Sequence, residues 1–357
     1  MKIAILGSRG IPNRYGGFEE MAAQVAPLWA SAGHEVWVYT VSNHPEKVRM
    51  YRGVRVVHIF NPEPALGLSG QFVYDLLCTL HARRKGFDVY LQLGYTTSAL
   101  WSFLWPKQKT WTNMDGLEHQ RAKYAGILSR FLRWSERRAA QRSKVLVADN
   151  PGIADYLQRY PAPIVTIAYG TAVLDTAPDA SLLEQFELEP FQFSVHIGRV
   201  QPDNHVEEIL QAAVNSGTRL VAVGDYTTPY GKQLFQKFKS FPQLLFTGPL
   251  YDKQVLNALR YYGNYYLHGH SAGGTNPALL EALGCGAWVL AHNNPFNASV
   301  LEGLGGLWTT VQELEGLLGG QVERGMRQEQ ARAAKEHMRL HYRWESVASA
   351  YLAAFEH

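Results

Sequence analysis

Between Tyr265 and Leu290 the chain reads YYLHGHSAGGTNPALLEALGCGAWVL, and here lie the residues whose types and spacing best suit chemistry. Gly273 and Gly274 make a turn, Thr275 and Asn276 are polar, and Pro277 suits the first position of a helix. The unbonded N–H groups and positive dipole end of such a helix attract an anion. Glu281 lies one turn further in, where its carboxylate can reach hydroxyls attached to that anion. A phosphate beside a diol describes a nucleotide. The plainer reading is a tight strand-to-helix turn with no ligand, because one glycine turn is weak evidence.

Three other places carry candidate groups. Arg199 follows a strand and Gly198, which suits a phosphate contact, or it is a surface arginine. Asp115 precedes Gly116 after another strand, so it is either a catalytic residue, through a polar contact to a substrate hydroxyl or help with proton traffic at the reacting centre, or the first half of an Asp-Gly turn. His268 and His270 alternate at a strand end, so at most one of them is expected at a ligand, and a lone histidine is more often packed than catalytic. No His, Asp, Glu or Cys cluster has metal-ligand spacing, so neither a metal nor a cofactor is expected.

These residues need sheets to hold them. Lys2–Leu6 is an apolar strand, followed by the loop GSRGIPNRYGG (7–17), a helix from Phe18 to Ala32 and a strand over Glu35–Thr40. This opening predicts a parallel, doubly wound unit. Strands continue near Val54–Phe60, Val89–Leu93, Lys109–Asn113, Val145–Ala148 and Ile164–Ile167. The pattern breaks near Gly170, where Leu174–Pro190 reads as a linker with a short helix. A second α/β series starts at Phe193. The expected class is therefore α/β, with two Rossmann-like domains facing across a cleft. Residues 1–170 form the N-terminal domain, 171–335 the C-terminal domain, and 336–357 a C-terminal helix packing across both, a geometry that suits an enzyme joining two substrates, one per domain. That last assignment rests on a helical stretch from Gln328 to Phe355, with Trp344, Val347, Tyr351 and Phe355 at helical spacing.

Composition limits the function. The 357 residues suffice for two domains, and a net charge of +3 is too mild to argue for nucleic acid. Cys78 and Cys285 are isolated in apolar settings, which suits buried thiols in a reducing compartment. The start MKIAILGSRG has no long apolar core, and no stretch is apolar enough to cross a membrane, so a cytoplasmic protein is expected. Arg130, Arg133, Arg137 and Arg138 interleave with Leu128, Phe131, Leu132 and Trp134. Such a helix either lies at the inner face of a membrane as a peripheral contact or is an ordinary amphipathic helix with a solvated basic face.

With these residues in view, the chain resembles the retaining nucleotide-sugar glycosyltransferases of the GT-B fold, and among them the bacterial rhamnosyltransferases of capsule and cell-wall polysaccharide assembly. The resemblance is carried by GSRGIPNRYGGFEE (7–20), NMDGLEHQRAKY (113–124), ADNPGIADYL (148–157), IAYGT (167–171), HIGRVQPDN (196–204), HGHSAGGTNPALLEAL (268–283) and YRWESVASAY (342–351). It implies that Gly16 and Gly17 let the first helix approach a donor diphosphate, that Arg199 pairs with it, that Gly273, Gly274, Thr275 and Asn276 supply further donors, and that Glu281 holds the ribose. Asp115, Tyr15, Glu118, Arg121 and Lys123 then lie on the acceptor side. Four positions depart from the pattern. Gly273 replaces the first of two glutamates eight positions apart, Ser271 another glutamate of the subgroup, Asn204 a lysine, and His119 a tryptophan.

The implied activity moves a hexose or deoxyhexose, rhamnose favoured, from a nucleoside diphosphate to a hydroxyl of a polysaccharide or lipid-linked acceptor, with retention and without a metal. A nucleotide-sugar epimerase, a phosphorylase and a catalytically silent sugar-nucleotide-binding partner subunit are the alternatives.

Overall fold

A computed structural model describes residues 1–14, 16–116, 126–271, 273–320 and 322–356. The chain divides into two units, Met1–Gly170 with Trp344–His357, and Thr171–Arg343.

The first unit runs β1 (Lys2–Leu6), α1 (Gly17–Ser31), β2 (Glu35–Val41), β3 (Met50–Tyr51), β4 (Val54–Ile59), α2 (Glu63–Leu66), α3 (Ser69–Lys85), β5 (Val89–Leu93), β6 (Thr110–Asn113), α4 (Ile127–Arg142), β7 (Val145–Ala148), α5 (Pro151–Leu157) and β8 (Ile164–Thr166). Its sheet has the order β3-β4-β2-β1-β5-β6-β7-β8. All pairs are parallel except the short β3 against β4. Parallel strands linked by helical crossovers are covered on both faces, which is why VYLQL in β5 and VLVA in β7 are buried at every position.

The second unit runs β9 (Ser194–Ile197), α6 (Val206–Ser216), β10 (Leu220–Val223), α7 (Pro229–Phe238), β11 (Leu244–Gly248), α8 (Lys253–Tyr262), β12 (Tyr266–His268), α9 (Pro277–Gly284), β13 (Val289–His292), α10 (Pro295–Leu301), β14 (Gly305–Trp308), α11 (Val311–Leu318) and α12 (Arg324–His341). Its parallel sheet has the order β11-β10-β9-β12-β13-β14. Strand order reverses between β9 and β12, and in open α/β sheets such switch points are where ligands bind.

The C-terminal stretch is two helices and not one. α12 belongs to the second unit, where the Thr171 N–H donates to the Tyr342 carbonyl (2.7 Å) and Thr171 bridges Arg343. Those bonds interrupt the helix at Tyr342 and Arg343. α13 (Trp344–Phe355) then belongs to the first unit. There Trp29 of α1 packs edge-to-face on Tyr351 (5.8 Å between centroids) and Phe355 (5.6 Å), and its indole N–H donates to the Ala348 carbonyl (2.9 Å). The expected single helix over 336–357 packing on both domains is thus replaced by one helix per unit.

Candidate functional site

The carboxyl edge of the second sheet gathers most of the predicted donor residues. β9 leads into Gly198 and Arg199, and a 3₁₀ turn over Pro202–Asn204 delivers the chain to α6. β12 leads into Gly269, His270 and Ser271. These two loops are tied together. Ser271 donates to the Asp203 carbonyl through both its N–H (3.0 Å) and its hydroxyl (2.9 Å). His270 Nδ1 donates to Asn204 Oδ1 (2.8 Å), and Asn204 Nδ2 donates to the Arg199 carbonyl (2.6 Å). The approach is so close that a Cβ on Gly269 would lie 2.0 Å from the Asn204 carbonyl oxygen. Two of the positions that depart from the family pattern, Asn204 and Ser271, are therefore the residues that clamp the loops.

Arg199 stands at the end of this clamp with an exposed side chain that pairs with no acid among the described residues. Gly273, Gly274 and Thr275 follow as buried backbone, with Gly273 at φ +99, a conformation natural to glycine. Asn276 is the N-cap of α9, accepting the Ala278 N–H at 2.9 Å, and Pro277 occupies the first helical position as the sequence suggested. No acid occupies the first turn of α9. The positive end of its dipole is left without an internal counter-charge.

Glu281 has a partner that sequence reasoning missed. Its carboxylate is turned toward α8, where Oε2 accepts from the guanidinium of Arg260 in a short ion pair. Arg260 is buried among Tyr266, Asn257 and Cys285. Burial disfavours its charge, but the Glu281 carboxylate, helped by Tyr266 and Cys285, more than offsets this and leaves the guanidinium pKa raised. Glu281 Oε1 has no hydrogen-bond partner among the described residues and remains available to a ligand. Only the buried Arg260, distant in sequence, marks the role, and neither periodicity nor spacing signals it.

Histidines also converge on this edge. His196, His268 and His292 sit near the ends of the adjacent strands β9, β12 and β13, and His205 stacks on His292 (4.0 Å between centroids, 9° between planes). Both His268 and His270 are buried. His196 Nδ1 donates to the Leu267 carbonyl (2.9 Å). Burial lowers the pKa of His196 and His292, and that of His268 strongly, with the neighbouring histidines adding to the shift at His268. Among the described residues no three ligating side chains are placed to hold a metal ion.

In the first unit the corresponding helix start carries acids. Gly16 is the N-cap of α1 without a side-chain cap, and Glu19 and Glu20 occupy the first turn. Glu19 is buried and accepts the Arg9 N–H (2.6 Å), while its second oxygen lies 3.4 Å from where a Gly16 Cβ would be. Glu20 accepts from Asn13 (2.6 Å). Gly16 and Gly17 thus begin a helix whose N-terminus already faces carboxylates, a poorer place for a diphosphate than the start of α9. Asp115 is held in the left-handed region at φ +51, with its N–H donating to Asn113 Oδ1 (3.0 Å). Aspartate tolerates that conformation, and the half-buried carboxylate has no partner among the described residues. Tyr15, Glu118, Arg121 and Lys123, with His119, lie outside the described residues.

Two further buried acids were not anticipated. Asp75 on α3 accepts from the Thr97 hydroxyl (2.6 Å), and burial raises its pKa to about 7. Glu136 on α4 accepts from the hydroxyls of Tyr95 (3.2 Å), Tyr156 (2.9 Å) and Tyr160 (2.6 Å). An acid inside an apolar helical stripe was the signal for both.

Residues 16–170 match the family model of the glycosyl transferase 4-like domain. No curated protein sequence matches the chain. Among solved structures, a sucrose-phosphate synthase from Thermosynechococcus elongatus superposes with a TM-score of 0.81 at 16% identity, over 99% of this chain and 98% of that one. HepE of Anabaena in complex with UDP and glucose gives 0.76 at 15% identity, over 100% and 99%. A UDP-forming α,α-trehalose-phosphate synthase from Burkholderia xenovorans with glucose-6-phosphate gives 0.73 at 10% identity, over 100% of each chain. Two Rossmann-like units with this topology are the GT-B fold, and the first of them carries the match to a glycosyl transferase 4-like domain.

Proposed function

We propose that the protein transfers a hexose or deoxyhexose from a nucleoside diphosphate to a hydroxyl of a saccharide or lipid-linked saccharide, with retention of configuration. The observation that carries this reading is Arg199, which pairs with no acid among the described residues, at the same sheet edge as the acid-free start of α9. A diphosphate leaving group gains charge as its bond to the sugar breaks, and a fixed cation with oriented N–H groups stabilises that charge. UDP-containing relatives of the same fold support a nucleoside diphosphate donor. The sequence resemblance to rhamnosyltransferases supports rhamnose as the sugar.

Chemically, the bond from the anomeric carbon to the diphosphate oxygen breaks, and a bond to the acceptor oxygen forms on the same face. The acceptor proton passes to the departing phosphate. This assigns charge stabilisation to Arg199 and α9, with no metal and no cofactor, and Glu281 Oε1 to the ribose hydroxyls. Asp115, whose carboxylate has no partner among the described residues, is assigned to a sugar hydroxyl at the first unit's edge.

A second reading, a catalytically silent nucleotide-binding subunit, is favoured by one observation. The side chains of Asn204 and Ser271 are both engaged in the loop clamp.

Thermal-shift titration with UDP, dTDP, GDP and their sugars tests both. A ligand at a hundred times its Kd stabilises by roughly 2.7 kcal/mol. Stabilisation by one diphosphate, lost in Arg199→Ala, together with donor turnover whose product keeps the anomeric configuration by NMR, is the expected result. Binding without turnover on any acceptor supports the silent subunit, and no binding at all overturns the donor site.

A further inference from the structure

One exposed face of the first unit remains unexplained by donor or acceptor chemistry. On α4, Ile127, Arg130, Trp134 and Arg137 follow at three- and four-residue steps, so they line one side of the helix, and all four are exposed. Ile127 retains 85% of its surface. The opposite side, with Leu132, Ser135 and Ala139, is buried on the unit. The one acid of α4, Glu136, points inward to its three tyrosines, so the outer face carries no carboxylate.

Neighbouring elements extend this face. Phe131 packs on Phe72 of α3 (5.9 Å) and stacks with Trp134 (5.8 Å). Trp101, in the 3₁₀ segment Ser98–Leu104, donates to the Phe72 carbonyl (2.7 Å) and lies beside Phe103. That segment leaves Leu100 and Phe103 exposed, and the approach to α3 leaves Leu66 and Leu68 exposed, the last at 78%. From Pro64 to Arg84 the one acid is the buried Asp75, and from Ser98 to Lys109 there is none. Scattered exposed apolar residues are ordinary, but here they adjoin one another through packed rings and alternate with arginines that pair with no acid among the described residues.

We propose that this face, formed by α4, the segment Ser98–Leu104 and the start of α3, docks on an anionic lipid bilayer. Arginines at headgroup level with Trp, Phe, Leu and Ile reaching the acyl boundary is the arrangement an interfacial helix requires. Charge selects the occupant, because a basic rim around apolar side chains, with no exposed acid in α4, Ser98–Leu104 or the start of α3, complements anionic headgroups. The proposal deepens the lipid-linked acceptor in the function proposed above, but vesicle binding requires no donor or acceptor and so stands or falls separately from it.

The test is co-sedimentation of the full chain with vesicles of pure phosphatidylcholine and of equimolar phosphatidylcholine and phosphatidylglycerol. Each basic side chain near an anionic surface contributes roughly a five-fold factor in partitioning. Arg130→Gln with Arg133→Gln and Arg137→Gln is therefore expected to weaken binding by on the order of a hundred-fold. Raising the salt to about 1 M, where the Debye length falls to about 3 Å, should do the same. Brominated lipid should quench the fluorescence component that Trp134→Phe removes. All these positions are exposed, so the variants should melt with the parent chain, and a Tm match confirms that lost binding is not lost folding. Absence of binding to anionic vesicles, equal binding to neutral ones, or undiminished binding by the triple variant each overturns the proposal. So does a concentration-dependent dimer that the same substitutions abolish, which would show that a second copy covers this face.

Discussion

Replacing Glu281 with alanine should destabilise the second unit before it affects any ligand. Arg260 is only 5% exposed, so removing its counter-ion leaves an uncompensated guanidinium out of contact with water. Breaking a fully buried pair in this way costs roughly 3–5 kcal/mol. The Glu281 side chain is 44% exposed, so solvent already screens the pair and the lower figure of about 2–3 kcal/mol applies. For a unit spanning Thr171–Arg343 this corresponds to a Tm fall of about 5–10 °C. The converse change, Arg260→Met, leaves a half-solvated carboxylate that water can serve, and should cost about 1 kcal/mol or less. The double variant should resemble Arg260→Met alone. Urea unfolding of both single variants and the double variant gives the coupling energy directly. Equal losses in the two single variants, or a Glu281→Ala change within about 0.5 kcal/mol of the parent, would refute the reasoning. The same asymmetry makes Glu281→Gln the better probe of ribose binding, because the amide keeps an acceptor for Arg260.

Three further outcomes follow from buried groups. Gly269→Ala places a Cβ 2.0 Å from the Asn204 carbonyl and must part the two loops, so calorimetric titration should show at least a ten-fold loss of diphosphate affinity, with Asn204→Ala milder. Asp75 has its folded pKa raised to about 7, so its neutral form favours the fold at acid pH, and that contribution is lost as pH rises from the ordinary carboxylate range through 7. Asp75→Asn should therefore add on the order of 2–4 kcal/mol at pH 8 and nothing at pH 4, read by urea unfolding. His196, His268 and His292 have lowered folded pKa values, so their contribution is present above the ordinary histidine value of 6.5 and is lost as pH falls below it. Between pH 6.5 and 5.5 the second unit should lose more than the roughly 1.4 kcal/mol that one such histidine allows, and His268→Gln should flatten that slope.

What the sequence disclosed and what it hid have physical causes. Strands such as VYLQL and VLVA are legible because both faces of a parallel sheet are covered, so apolar runs mark them directly. β14 is GGLW, without β-branched residues, and β3 spans two residues, so neither produces a run to read. The break between α12 and α13 lies at Tyr342 and Arg343, with no glycine or proline to announce it. It is imposed by a bond from Thr171, which no local pattern contains. The start of α9 was legible because Asn-Pro is local chemistry. The Arg260–Glu281 pair, the histidine group and the Asn204–His270 clamp were not, because each joins residues that only the strand order brings together.

The two sheet edges differ in a way that divides the proposed reaction. Both begin a helix after a glycine-containing loop, and from sequence both resemble anion sites. At α1, however, the buried Glu19 and the neighbouring Glu20 already answer the helix dipole, and at the same sheet edge Asp115 adds a carboxylate with no partner among the described residues. Carboxylates repel phosphate and accept hydroxyl protons, so this edge suits a sugar. At α9 the first turn holds no acid and Arg199 pairs with no acid among the described residues, so that edge suits a diphosphate. Neutralising Glu19 would not convert the first edge into a phosphate site, because its carboxylate also holds the Arg9 N–H and so fixes the loop. The assignment of phosphate to the second unit therefore rests on where charge is missing, and less on where glycine is present.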